Sequence, residues 1–376
     1  MNFIPYGLHS IDQEDINEVI KVLKTDWLTT GPKIKEFEDA LCNYVGCENA
    51  VVVNSGASAL DIAVQSLDLP KKSEIITSPF TFVATSNSIL YNNHKPVFVD
   101  IEKETRNIDP KEIEKKITKK TGAIIYIDYA GHPCEIDEIK EIADNYDLLL
   151  IEDASHSIGA EYKGKKIGNF ADMTIFSFHP VKNITTGEGG AVLTNNPKYY
   201  EKLKMLRNHG INKETKERYG KEAGYEYDMK LLGRNYRITD LQCALGLSQL
   251  KKLNLFVREK KRLSETYNKY LSELEFIDIP TNKAYVKHAW HLYTILINDM
   301  DRDDIFIKLR KMNIGVNVHY IPIYHFTYYK ENFNFKPKNY PVTEEVFHKI
   351  ISLPLFPTMS SEQQNYVIDN LSKLSK

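Results

Sequence analysis

The run from Phe176 to Gly190, FSFHPVKNITTGEGG, is polar and glycine-rich, yet it lies between two apolar segments of strand length. A lysine there, Lys182, is poorly placed to be an ordinary solvated charge. To form a Schiff base it must shed its proton near neutral pH, although an unperturbed lysine titrates at about 10.4. Desolvation and a neighbouring cation lower that value. From these residues alone, a surface lysine in a hairpin remains an equal alternative.

A second run, Leu148-Leu149-Leu150-Ile151-Glu152-Asp153-Ala154-Ser155-His156-Ser157, is an apolar strand that ends in carboxylates. Ligands of parallel sheets bind beyond the carboxyl ends of strands. Asp153 there can pair with a protonated ring nitrogen, and His156 can lie against the same ring. Read singly, Asp153 is more readily a helix N-cap, and His156 a satisfied loop histidine. A third run, Asn54-Ser55-Gly56-Ala57-Ser58-Ala59-Leu60, passes from strand through small residues into a helix. Free N–H groups at such a helix start cradle phosphate, although a plain strand–helix turn has the same look. Gly187-Glu188-Gly189-Gly190 leads into a strand and lacks dinucleotide-loop spacing. His288 and His291 lack the glutamate of a metalloprotease helix, so no metal is expected.

The elements that must position these residues follow from periodicity. Ser10 and Gln13 have capping-box spacing ahead of Ile16, Val19, Ile20 and Leu23, and a second helical pattern runs from Ile34 to Val45. Strands are expected at Val51–Val53, Glu74–Thr77, Pro96–Val99, Ile124–Ile127, Leu148–Ile151, Thr174–Phe178 and Gly190–Leu193. Helices are expected at about Ala57–Leu67, Thr81–Tyr91 and Ile136–Asn145. Continuous apolar strands alternating with helices imply a mostly parallel sheet covered on both faces. A long helix is expected from Thr239 to Leu271, with Leu241, Leu245, Leu250 and Leu253 buried. Beyond it lie strands near Trp290–Ile297 and Val316–His319 and helices near Asp303–Met312 and Glu362–Leu371. The division expected is a large domain over residues 1–250 and a smaller α+β domain over 251–376.

The 376 residues carry a net charge of −2, which gives no reason to expect nucleic acid as a partner. With 42% hydrophobic and 27% charged residues the composition is that of a soluble protein, and no apolar run is long enough for a bilayer. Four scattered cysteines and no secretory signal point to the cytoplasm.

Taken together, these runs resemble the DegT/DnrJ/EryC1/StrS aminotransferases. The likeness extends through Trp27-Leu28-Thr29-Thr30-Gly31-Pro32, Ser78-Pro79-Phe80-Thr81-Phe82-Val83-Ala84, Arg207-Asn208-His209-Gly210, Asn235-Tyr236-Arg237-Ile238-Thr239-Asp240 and Val318-His319-Tyr320, nearly the whole chain. The resemblance implies the pyridoxal-phosphate (PLP) transferase fold type I, aspartate aminotransferase-like, with PLP as cofactor and pyridoxamine phosphate as its intermediate. Lys182 then corresponds to the lysine that carries PLP and moves protons, and Asp153 to the partner of the ring nitrogen. Phe82 and His156 flank the ring, and Ala57, Ser58 and Ser177 contact the phosphate. Asn235 reaches a neighbouring site, so a homodimer with shared sites is implied. Relatives that dehydrate sugars carry histidine where Lys182 stands, which favours transamination over dehydration.

Within the family, Asp26-Trp27-Leu28-Thr29, Asp128-Tyr129-Ala130-Gly131, Ile184-Thr185-Thr186 and Ala289-Trp290-His291-Leu292-Tyr293 resemble members that use L-glutamate to aminate C4 of a UDP-linked 4-keto-6-deoxy-N-acetyl sugar for pseudaminic acid. Tyr6, Asp26, Trp27, Leu28, Thr29, His319 and Tyr320 would line that sugar site, and Arg237 would clamp the donor carboxylate or form a structural ion pair. Two departures stand out. Ala57 replaces a common threonine, and Ile321-Pro322-Ile323-Tyr324-His325-Phe326 differs from a more usual I-P-V-H-x-Q run. The remaining alternatives are other UDP- or dTDP-keto-sugar aminotransferases, an amino-acid-directed aminotransferase, a sugar dehydratase and an inactive regulatory relative.

Overall fold

Strict alternation along the apolar runs divides their side chains between two faces. In the computed structural model, which describes residues 1–213 and 225–374, they form one seven-stranded sheet. Its strands are β1 (Asn49–Val53), β2 (Glu74–Thr77), β3 (Lys95–Phe98), β4 (Thr121–Ile127), β5 (Leu149–Asp153), β8 (Met173–Ser177) and β9 (Gly190–Thr194); two-residue strands β6 (Glu161–Tyr162) and β7 (Lys165–Lys166) lie apart. The order is β1-β9-β8-β5-β4-β2-β3, and β9 alone runs against the others. Val52, Ile76, Ile124, Leu150 and Phe176 enter one core; Val51, Ile75, Ile125, Ile151 and Ile175 enter the other. A period of two with both faces buried is what helices on both sides of a parallel sheet require.

The helices are α1 (Gln13–Leu23), α2 (Pro32–Val45), α3 (Gly56–Ser66), α4 (Val83–Tyr91), α5 (Pro110–Glu114), α6 (Ile136–Tyr146), α7 (Pro197–Arg207) and α8 (Asp240–Leu271). The start of α8 is closed by a capping box: Thr239 Oγ1 accepts from Gln242 N, and Gln242 Oε1 accepts from Thr239 N. The buried carboxylate of Asp240 accepts from Gly31 N at 2.7 Å and Lys33 N at 2.9 Å, which ties α2 to α8. A Cβ at Gly31 would lie 2.6 Å from Trp27 Cβ, so this close approach requires glycine.

The long α8 serves two cores. Leu253, Phe256 and Val257 join the sheet core, whereas Leu263, Tyr267 and Leu271 join a second core around the antiparallel sheet β10 (Ile277–Asp278), β12 (Tyr293–Ile297) and β13 (Ile350–Leu353). Strand β11 (Val286–Lys287) pairs with β6. Helices α9 (Arg302–Lys311), α10 (Thr327–Asn332), α11 (Pro341–Lys349) and α12 (Ser361–Leu374) complete this region, and Ile4 inserts into its core. The fold is the mostly parallel α/β sheet between helices with a smaller α+β portion that the sequence implied. No described helix is long and apolar enough to cross a membrane.

Several local expectations need correction. The first capping box is Asp12 with Asp15, not Ser10 with Gln13: Asp12 Oδ1 accepts from Glu14 N and Asp15 N, and Asp15 Oδ2 accepts from Asp12 N. The Ser10 carbonyl is taken by Gln249 instead. Helix α4 begins at Val83 rather than Thr81, with Phe82 at its N-cap. Val316–His319 is no strand but a single bridge between Asn317 and Ser352. The Asn317 side chain takes Val318 N, and Tyr129 Oη donates to the His319 carbonyl, so ladder partners are lost to side chains. Strand β12 starts at Tyr293, not Trp290. Leu241 and Leu245 are only half-buried.

Candidate active site

Strands that run in one direction end at one edge, so the loops after β1, β2, β5 and β8 converge there. Asp153, the last residue of β5, is 4% exposed. Thr85 Oγ1, in the first turn of α4, donates to its Oδ2 at 2.8 Å, and Ser155 N donates to its Oδ1 at 3.2 Å. No helix follows Asp153, so it is not a helix N-cap. Lys182 lies in the turn after β8, where its N–H donates to the His179 carbonyl at 2.8 Å. Burial lowers its amine to about 8, while the Asp153 carboxylate pulls the other way. An appreciable fraction is therefore a free base near neutrality.

His156 is buried beside this pair. Its Nδ1 faces Ala130 N at 3.3 Å, which can only donate, so Nδ1 is the acceptor and Nε2 carries the hydrogen. Nε2 then donates to Tyr320 Oη at 3.0 Å and leaves the phenol proton free for another acceptor. Burial, followed by the charge of Lys182, holds the His156 imidazole well below its usual range, so it is neutral. His319 meets Ser352 Oγ at 2.8 Å and the Tyr6 ring at 5.3 Å, and burial lowers it to about 3. The Phe82 ring is 60% exposed and lies 6.4 Å from the Tyr320 ring. It presents an open aromatic face on the same edge.

At the β1 corner, Ser55 caps α3 by accepting from Ser58 N at 3.0 Å, and Ser58 Oγ donates to Asn54 at 2.7 Å. The first-turn N–H groups of α3 have no intrahelical acceptor. A Cβ on Gly56 would stand 2.8 Å from Ser177 Cβ, so Ser177 closes directly over this turn. Ala57 is exposed beside it. A near-neutral amine, a buried carboxylate, an open aromatic face and a helix start together fit a flat, phosphorylated aldehyde bearing a basic ring nitrogen. Among the described residues, no group of three or more His, Cys, Asp or Glu is placed for a metal.

The other expected residues stand elsewhere. Trp27 and Arg237 line a cavity of about 830 Å³ with Lys35, Tyr200, Lys204 and Asn208, and that cavity contains neither Lys182, Asp153 nor His156. Arg237 donates to Asn208 Oδ1 at 2.8 Å. Asp26, Leu28 and Thr29 are exposed on the adjoining loop, which is pinned by Asp240 N to the Leu28 carbonyl. Asn235 is exposed on the segment whose next residue, Tyr236, accepts from Asn54 N. Within one chain, the cavity lined by Trp27 and Arg237 is separate from Lys182 and Asp153.

The sequence reading passed over Thr85. Its only signal was a hydroxyl one helical turn beyond Phe82. Because it anchors the orientation of Asp153, Thr85→Val is expected to lower kcat about tenfold, as follows from losing a hydrogen bond to a charged group. Steady-state kinetics alongside the melting temperature test this; an unchanged kcat would refute the role.

The model of the DegT/DnrJ/EryC1/StrS aminotransferase family matches residues 9–372. An uncharacterized protein of Methanocaldococcus jannaschii is 45% identical over 99% of this chain and 98% of its own length. The UDP-4-amino-4,6-dideoxy-N-acetyl-beta-L-altrosamine transaminase of Campylobacter jejuni is 40% identical over 98% of this chain and 96% of its own. The solved structure of Helicobacter pylori PseC, an aminotransferase involved in the biosynthesis of pseudoaminic acid, superposes with a TM-score of 0.93 at 35% identity, covering 99% of each chain.

Proposed function

The chain belongs to the DegT/DnrJ/EryC1/StrS aminotransferase family, and on that premise we propose that it moves an amino group from L-glutamate to C4 of a UDP-linked 4-keto-6-deoxy-N-acetyl sugar. The product is UDP-4-amino-4,6-dideoxy-N-acetyl-β-L-altrosamine, a precursor of pseudaminic acid. The broader class is settled: this is a PLP-dependent sugar aminotransferase. The substrate reading is carried by the 40% identity with the Campylobacter enzyme along almost the full length of both chains. Four free cysteines suit work in the reducing cytoplasm.

PLP, when bound, supplies an aldehyde that condenses with amines and a ring that draws off the electron pair left when a C–H proton departs. With PLP in place, Lys182 Nζ would be the amine that holds its aldehyde and, once released by an incoming amine, the base that moves the proton at the substrate carbon. Asp153, oriented by Thr85 and Ser155 N, would keep a proton on the ring nitrogen. The first turn of α3, with Ala57, Ser58 and Ser177, receives the phosphate. Phe82 would lie against the ring, and the free phenol proton of Tyr320 would be available to a ligand oxygen. Tyr6 and His319 stand behind Tyr320 on the sugar side.

Arg237, Asn235 and the Asp26–Thr29 loop complete the site of a second copy in a homodimer. Trp27 and Arg237 line a cavity that Lys182 does not reach within one chain, which supports this arrangement. There Arg237 clamps the donor carboxylate. The division into domains near residue 250 belongs to the same reading.

The test is a panel of UDP- and dTDP-linked 4-keto sugars with glutamate as donor, read as 2-oxoglutarate released. The UDP-linked 4-keto-6-deoxy-N-acetyl sugar is expected to lead in kcat/KM by about tenfold or more, a margin that one or two specific contacts provide. A dTDP-sugar in first place would overturn the assignment.

A further inference from the structure

Lysine side chains are seldom buried without a carboxylate partner. Lys260, two-thirds of the way along α8, is 2% exposed, and its Nζ donates to Asn183 Oδ1 at 2.8 Å. No carboxylate among the described residues lies within ion-pair reach of it. Asn183 is itself 4% exposed and directly follows Lys182 in the chain. Its Nδ2 donates to the carbonyls of Ile158 at 3.1 Å and Ala289 at 3.2 Å. Because two carbonyls claim the amide nitrogen, the amide oxygen can only face Lys260. One side chain thus joins the turn of Lys182 to three other parts of the molecule: α8, the loop after β5 and the segment before β12.

We propose that Lys260 is a positioning residue for Lys182, acting through Asn183 to fix the turn that carries the reacting amine and adding a second positive site beside it. This rests on Lys182 being the lysine that holds the cofactor. The groups around the two amines are Asp153 and His156 at the end of β5, His291 before β12, and His319 beyond α9. Burial, and next the charge of Lys182, bring Lys260 down to about 7. His291 is held neutral by burial and by the charges of Lys182 and Lys260. At Lys182 the opposing charge comes from Asp153. Lys260 is bonded to the residue next to Lys182 and is repelled by its charge, so the charge on one amine depends on the charge on the other.

The experiment compares Lys260→Met, Lys260→Arg and Lys260→Gln holoenzymes with the wild type. It follows the visible band of the bound cofactor as a function of pH, which reports the proton on the nitrogen of Lys182. A neighbour locked positive disfavours that proton, and a neutral one permits it. The midpoint is therefore expected to be lowest in K260R, intermediate in the wild type and highest in K260M. The two variants should differ by about half a pH unit or more, the scale of one partly screened charge pair. K260Q, which is neutral but able to donate to Asn183, should titrate like K260M while keeping a kcat closer to that of the wild type. Should K260R fail to fold, the wild type must still lie below both neutral variants. Coincident midpoints would overturn the proposal, because a purely structural lysine would move the melting temperature and leave the band's pH dependence alone. Borohydride reduction and peptide mapping separate the two levels of the argument. Label on another lysine overturns the reading of Lys182 and this proposal with it. Label on Lys182 with coincident midpoints overturns the role of Lys260 alone.

Discussion

Replacing Lys182 by arginine is expected to abolish amino transfer, with kcat falling about 10⁴-fold, the upper range for a positioned proton carrier. Arginine keeps the positive charge and much of the length, but its guanidinium does not lose a proton in a protein. It can therefore neither attack an aldehyde nor collect a proton from carbon. Glutamate-dependent release of 2-oxoglutarate would measure the loss, and the visible band of the covalently held cofactor should vanish with it. The wild type supplies the matching pH test. Only the neutral amine captures the aldehyde, and burial brings Lys182 to about 8. Cofactor capture by the apo-enzyme should accordingly accelerate as pH rises through about 8 and level off above it. Retention of more than about a tenth of wild-type turnover in K182R would remove the basis of the proposed mechanism.

Asp153→Asn separates two consequences of one charge. An amide of nearly the same shape cannot hold a proton on the ring nitrogen by ion pairing, so turnover should fall about 10²- to 10³-fold, within the range for loss of an acid–base partner. The same substitution removes the one carboxylate that favours the protonated form of Lys182. The amine should then lose its proton more readily, and the pH midpoint for cofactor capture should move down. Turnover thus collapses while Lys182 becomes easier to deprotonate. If the midpoint rose in D153N, the electrostatic link between the two residues would be wrong even if activity fell.

These two predictions concern residues that the sequence singles out, and the reason is local. Lys182 and Asp153 each stand where an apolar strand gives way to polar residues, and strand ends in a parallel sheet share one edge. Unbroken apolar runs likewise imply a sheet buried on both faces, because successive side chains of a strand point to opposite faces and both must then be apolar. The box at Thr239 and Gln242 was within reach for the same reason: three residues apart is contact distance in a helix.

What tertiary structure alone decided involves partners far apart in the chain. Thr85 meets Asp153 across 68 residues, Lys260 meets Asn183 across 77, and Tyr320 meets His156 across 164. No periodicity extends so far, since these contacts depend on how helices and sheets stack and not on local dihedral preferences. Lys260 also sits in a charged stretch, Arg258-Glu259-Lys260-Lys261-Arg262, that reads as a solvated helix face. Only the docking of α8 against the turn after β8 drew one lysine of that run out of water. Arg237 and Trp27 show the converse. Their types invite placement beside Lys182, yet the folded chain sets them around a different cavity, because the loop that carries Trp27 is fastened to the start of α8 at Asp240.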